Sequence, residues 1–376
     1  MKIIIRFISG ISLVLLIFSQ SASAQDDILF RKYVVSSGIN GFYYGFAIDL
    51  ITSASGGAAA GIPVLSAGVS ALIPLMSNSA RTISENSYVL SGHGKAVGWA
   101  HGAALATLIG GEDAWTGNNY KLSVALGAAT SIGLGILGKN LGKTTNWSDG
   151  QVALYRHYGW VGPFTGISLM AAFSDSPRAY GASVLVFGAG GYLLADRIYK
   201  WNEFTRGDVR ATQVLSILNG GLGFGIVMSL TENANRDFKR TDLLVPAIGV
   251  LSGSMLSHLW LKDIKLSPKQ GLMTAYATSG GAVLGLGIAL ITESDKIAPY
   301  YIIPYLTGLG AYAYAVETFR KNNGTQSFTP GAKKSNWDFS FMPQNAILNS
   351  KMPSKGYMVN GRLVGMQPLF AASLTF

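Results

Sequence analysis

The sequence predicts an all-α protein: about five repeated, glycine-rich helical hairpins with membrane-like packing, followed by a short C-terminal β segment. Three observations carry that prediction. Helix start signals recur at a near-constant interval, each interval holds two long apolar segments, and glycine is concentrated inside those segments rather than between them.

Composition sets the frame. Of 376 residues, 49% are hydrophobic, 13% are charged and 47 are glycine, with a mean hydropathy of +0.31. Soluble domains carry about a quarter charged residues, so a membrane or an unusually buried interior is implied. The chain has no cysteine, which removes disulfide frameworks and thiolate chemistry.

Taken in order, the first element is a targeting segment. Lys2 and Arg6 precede the apolar run Phe7 to Phe18, and Ala22-Ser23-Ala24 forms an A-x-A site before Gln25. That run is too short to span a bilayer core of about 30 Å. Residues 1–24 therefore read as a cleaved signal peptide, and the chain as an exported protein.

Residues 25–321 read as the helical-hairpin repeat domain, with units near 41–76, 91–143, 148–200, 205–265 and 267–321. Ser148, Thr205 and Ser267 each stand three residues before Gln151, Asp208 and Gln270, in the phase of a capping box or of an acid at the helix dipole. Ser91 sits less well in the same phase, and the resulting intervals are 57, 57 and 62 residues.

In each unit the first segment is dense in glycine in its second half (102–111, 159–166, 220–225 and 280–287). It then meets an acidic turn: Glu112 with Asp113, Asp175, Glu232 with Asp237, or Glu293 with Asp295. The second segments (122–137, 182–195, 243–261 and 301–319) end on Lys139 and Lys143, Arg197 and Lys200, Lys262 and Lys265, and Arg320 and Lys321. A glycine inside a helix costs about 1 kcal/mol against alanine in water, so the glycines point to packing. Gly127, Ser131 and Gly135, and Gly138 with Gly142, have the four-residue spacing that lets helix backbones approach. Residues 122–136 also alternate large and small as a barrel strand would, but capping phase and segment length favour helix. Residues 322–336 form a polar linker, and 337–376 read as a small β tail.

The chemistry searched for is largely missing. Gly133 to Gly138 match G-x-G-x-x-G and run on to Lys139 and Asn140, but they fall in mid-helix, not in the strand-to-helix loop that phosphate binding needs. The four histidines, His93, His101, His157 and His258, form no ligand set with metal-site spacing. No catalytic residue, cofactor, metal or nucleotide site is predicted. Tyr155, Tyr158, Trp160 and Trp99, and Tyr300, Tyr301, Tyr305, Tyr312 and Tyr314, are candidates for core packing or an interfacial belt. Pro163, Pro246 and Pro304 fall inside predicted helices and are expected to kink them.

The formal charge of +10 falls to +8 once Lys2 and Arg6 leave. Its spread among loops fits a lipid-headgroup surface or plain solvation, and nucleic acid is not an expected partner of an exported chain. With the mature N-terminus outside, every basic loop between hairpins would also lie outside, against the positive-inside rule for an inner-membrane bundle. Arg156, His157, Arg210 and Gln213 further weaken insertion. The reading is a non-catalytic exported envelope protein, at the outer membrane or its periplasmic face or else in the periplasm. It would act as a membrane-associated helical-repeat scaffold or a lipid- or partner-binding component, with membrane lipid or envelope proteins as partners. A transport or channel element is the alternative. A periplasmic enzyme on a helical toroid, using Asp149 and Asp208 as acid or base, ranks behind both.

Overall fold

The structure, a computed structural model, describes residues 25–76, 83–324, 336–341, 357–359, 362–364 and 370–375. The expected signal peptide and nearly all of the 322–336 linker lie outside these residues. The chain divides into a helical unit, Met1–Asn323, and a C-terminal unit, Gly324–Phe376. The described residues of the C-terminal unit do not establish the expected β tail.

The described helical unit holds ten α-helices: α1 (Gln25–Thr52), α2 (Gly57–Met76), α3 (Glu85–Gly110), α4 (Asn119–Thr144), α5 (Asp149–Phe173), α6 (Pro177–Trp201), α7 (Arg206–Asn233), α8 (Leu244–Leu261), α9 (Pro268–Ile291) and α10 (Pro299–Gly324). Consecutive helices pair as five hairpins: α1 with α2, α3 with α4, α5 with α6, α7 with α8, and α9 with α10. The all-helical hairpin repeat is thus what the sequence periodicity describes.

The caps show why the helices begin where they do. Ser148 Oγ accepts from Gln151 N at 3.1 Å and Ser267 Oγ accepts from Gln270 N at 3.2 Å, while Gln270 Oε1 closes a full capping box on Ser267 N at 2.8 Å. Thr205 and Asp208 also form a complete box, so Asp208 does more than answer the helix dipole.

Two expected starts move. The cap of α3 is Ser84, whose hydroxyl accepts from Ser87 N, whereas Ser91 is buried about two turns inside the helix. The first hairpin likewise begins at Gln25, not near 41. In both places glycines (Gly38 and Gly41; Gly92 and Gly94) suggest a helix boundary in the sequence. Gly41 and Gly94 are instead helical residues pressed against the backbones of Ser66 and Leu134, whereas nothing packs within 4 Å of Gly92.

Glycine is the seam of the hairpins. A methyl group at Gly98 would overlap the backbone of Ser131, one at Gly102 the backbone of Gly127, and one at Gly138 the Leu90 carbonyl. Gly127, Ser131, Gly135, Gly138 and Gly142 all lie buried on one face of α4, the close-approach stripe expected from their spacing. Pro163 and Pro304 lie within α5 and α10. Pro246 instead stands in the first turn of α8, where its missing N–H leaves no bond unmade. Pro63 and Pro74, within α2, complete the set of internal prolines.

All hairpins share one orientation. At one end, Asn86 Nδ2 donates to Trp147 O (2.8 Å), Thr205 Oγ1 to Leu266 O (2.6 Å), Asn202 Nδ2 to Lys262 O (2.9 Å) and Arg320 Nη2 to Trp260 O (2.9 Å). These contacts lie where one hairpin passes to the next or the last hairpin ends, the end that carries Lys143, Lys200, Lys262, Lys265 and Lys321. At the other end the turns within hairpins meet: Arg240 pairs with Asp175, and Glu232 Oε2 accepts from Ile297 N at 3.0 Å. The bundle therefore has a basic end and an acid-rich end.

Candidate functional site

The interior where the third, fourth and fifth hairpins meet is lined with hydroxyls and imidazoles. His157 on α5 pairs through Nε2 with Ser254 Oγ of α8 at 2.9 Å. Ser254 in turn meets Ser216 Oγ of α7, and both hydroxyls reach the Val250 carbonyl, at 3.0 and 2.8 Å. One turn nearer the basic end, Tyr158 OH bonds His258 Nε2 at 2.8 Å, and Thr212 Oγ1 bonds Ser257 Oγ at 3.0 Å. Ser257 Oγ also bonds Tyr312 OH of α10 at 2.8 Å. Four helices are tied by side chains that are all buried.

The sequence places these groups for local reasons. Thr212 and Ser216, four apart, share a face of α7 together with Asp208 and Asn219. Ser254, Ser257 and His258 share the facing side of α8. Around them pack Leu154, Phe204, Val209, Leu215, Leu261 and Val316, so the polar groups sit in an apolar shell. Phe204 stacks against His258 with ring centroids 4.5 Å apart. His258 Nδ1 has no hydrogen-bond partner.

Asp208 lies at the floor of this core. Its Oδ2 accepts from Thr205 N at 2.7 Å and its Oδ1 from Leu266 N at 2.8 Å, so one carboxylate caps α7 and fixes the loop before α9. Both oxygens accept backbone N–H groups, and the residue is fully buried, so the carboxylate is placed as a cap and loop tie. Asp149 is the first residue of α5, at the positive end of its dipole.

A second polar knot joins α3 to α6. His93 Nε2 bonds Tyr192 OH at 3.1 Å, and its ring also meets Trp160 edge-on. Tyr155 stacks between Tyr192 and Trp147. His101 binds its own helix through Nδ1 and the Val97 carbonyl at 2.8 Å and faces Gly188 of α6. His93 and His101 thus both serve the α3–α6 contact. Of the other aromatics, Trp99 stacks on Tyr44, Tyr305 OH reaches Asn219 Oδ1 at 3.5 Å, and Tyr314 is exposed.

The His157–Ser254 pair has the separation of a base and a nucleophile. With His157 6% and Ser254 1% exposed, a substrate carbonyl has no way to reach the hydroxyl, and the pair works as a packing bond. Among the described residues no three of His, Asp and Glu converge as a metal site would require. Gly133 to Gly138 lie within α4, and Lys139 sits over the Tyr33 ring at 5.8 Å rather than at a helix N-terminus. Sequence reasoning passed over Thr212, Ser216, Ser254 and Ser257. The usable signal was hydroxyls at three- and four-residue spacing inside otherwise apolar segments.

Fold and site together define a helical-hairpin repeat protein in which, among the described residues, five helices are long and apolar enough to cross a membrane: α2, α4, α7, α9 and the segment Arg240–Leu261 that contains α8. No protein family, curated protein or solved structure matches the chain.

Proposed function

We propose that this protein is a non-catalytic, membrane-embedded scaffold of the cell envelope, its hairpins joined through small and hydroxyl-bearing residues and its outer faces turned to lipid. The observation that carries this reading is the number of large apolar side chains left in the open while hydroxyls are buried between the helices. Buried positions include Ser87, Ser91, Ser123, Ser131, Thr212, Ser216, Ser254, Ser257, Thr274 and Thr278, whereas Leu65, Leu72, Ile73, Leu193, Ile217, Val283 and Leu284 stand in the open. Monomeric soluble proteins rarely expose contiguous apolar patches beyond a few hundred Å². In a bilayer the order reverses, because lipid tails compete for leucine but not for hydroxyls or for the close approach that glycine permits.

Length agrees. The helices run from 18 to 28 residues, which is roughly 27 to 42 Å at 1.5 Å per residue against a core of about 30 Å. The A-x-A site ending at Ala24 supports export. The basic loops between hairpins, which would then lie outside, favour the outer membrane or its periplasmic face over an inner-membrane bundle. A small β tail over 337–376 completes the reading, supported by antiparallel pairing of Asn336–Phe341 with Phe370–Thr375. Transport has less in its favour, since the central polar groups are mostly bonded to one another and the hairpin arms meet backbone to backbone.

Carbonate washing of purified envelope membranes tests the proposal. The protein is expected to stay in the pellet, with the 262–267 loop cut by external protease only when its side of the membrane is exposed. Full release into the soluble fraction would overturn the membrane placement.

A further inference from the structure

Three arginines at the basic end have no complement within the protein equal to their charge. Arg156 stands on α5, eight residues past the cap Ser148, which puts it about 12 Å along the helix axis. It is exposed, and among the described residues it makes no hydrogen bond or ion pair. Arg206 and Arg210, one turn apart on α7, lie close enough to Arg156 to act on its charge. A groove between α3, α5 and α7 is lined by Arg156, Arg206, Glu85, Asn86, Asp149 and Val152.

The acids in that groove do not balance it. Glu85 Oε1 is taken by Arg206 Nη1 at 2.5 Å, and Asp149 begins α5. Arg210 Nη1 donates to the Pro268 carbonyl at 3.1 Å, which steadies the side chain without neutralising it. The level of Arg156 is the telling feature. A charge close to the edge of the hydrocarbon layer is found paired, and guanidinium groups suit phosphate oxygens through paired, planar N–H donors. Trp160, one turn further in and 48% exposed, marks where the headgroup layer gives way to acyl chains.

We infer that the groove between α3, α5 and α7 that Arg156 and Arg206 line, with Arg210 one turn further along α7, binds the phosphate of an anionic phospholipid headgroup, so the basic end of the bundle is anchored to a specific lipid. This rests on the membrane reading above. Arg156 supplies the free fork, Arg206 the second charge, restrained by Glu85 until a phosphate competes for it, and Arg210 adds positive charge from the next turn of α7.

The test uses the full-length protein reconstituted in nanodiscs of phosphatidylcholine with and without phosphatidylglycerol, reading retained lipid by native mass spectrometry. Wild type is expected to keep phosphatidylglycerol in preference. Arg156→Gln should weaken that retention about tenfold, the loss of one charge-assisted fork; Glu85→Gln should strengthen it, and Lys296→Gln at the far end should leave it unchanged. Arg156 is exposed and unpaired, so its variant keeps the thermal transition of the wild type. Equal retention by wild type and Arg156→Gln would overturn the inference. Displacement of the lipid by inorganic phosphate would assign the groove to the free ion and sink the lipid assignment. If the protein proves soluble without detergent, the membrane reading fails by itself. Phosphate titration of wild type against Arg156→Gln then decides the arginine groove separately.

Discussion

The first and fourth hairpins are built from the same kinds of residue and bury them to different extents. α2 has the highest mean hydropathy of the five membrane-length helices, yet only 11% of its apolar window is buried, against 39% for α7. On α2, Leu65, Val69, Leu72 and Ile73 are exposed, and the helix is held to α1 where Gly41 and Gly45 meet Ser66, Ser70 and Pro63. On α7, Thr212, Ser216 and Asn219 are buried against α8. On these two helices high hydropathy does not secure burial, and hydrogen-bonded Thr212, Ser216 and Asn219 are buried alongside Val209 and Leu215. In water that ordering would leave the strongest driving force unused; in lipid it is the expected one.

The comparison can be broken most sharply at its glycines. Gly249 of α8 lies against the Asn219 backbone, so Gly249→Leu should cost about 3 kcal/mol or more of thermal stability in detergent through overpacking, measured as loss of the cooperative helical transition. Leu72→Asp on α2 should cost about 3 kcal/mol of membrane partition. Should the variant prove as stable and more soluble, α2 faces water and the contrast between hairpins loses its meaning. Tyr158→Phe strands His258 Nε2 in an apolar shell and is expected to destabilise by about 2 kcal/mol; an unchanged denaturation curve would show the hydroxyl core to be dispensable. Asp208→Asn removes one of two backbone-directed oxygens and should cost about 1 kcal/mol, with no loss of any activity the protein displays. The smallest effect belongs to Gly68→Leu. Nothing packs within 4 Å of that position on α2, so stability should hold or rise by less than about 1 kcal/mol, as helix propensity alone would give.

Much of this was legible along the chain. The hydroxyl caps at 148, 205 and 267, the paired apolar segments and the stripe from Gly127 to Gly142 announce hairpins. The acidic and basic turns announce their polarity. Ser84 was passed over because Ser91, followed by Gly92 and Gly94, imitates a helix start, and local sequence cannot tell a glycine that ends a helix from one that a neighbouring backbone presses against. Asp208 looked like a dipole residue because its second partner, Leu266 N, lies 58 positions away.

By itself, the sequence determined that the protein is helical, repeated and far more apolar in composition than an ordinary soluble domain, because capping, period and composition act within a few residues of one another. Only the tertiary structure decided which faces are inside. The meeting of His157 with Ser254, of Tyr158 with His258 and of Ser257 with Tyr312 depends on hairpins roughly 50 to 100 residues apart aligning in one direction. That shared direction also turned scattered charges into a basic end, and brought Arg156 beside Arg206 and Arg210. Hydrogen bonds and packed glycines act over a few ångströms, and no spacing in the chain records which distant helix will supply the other side.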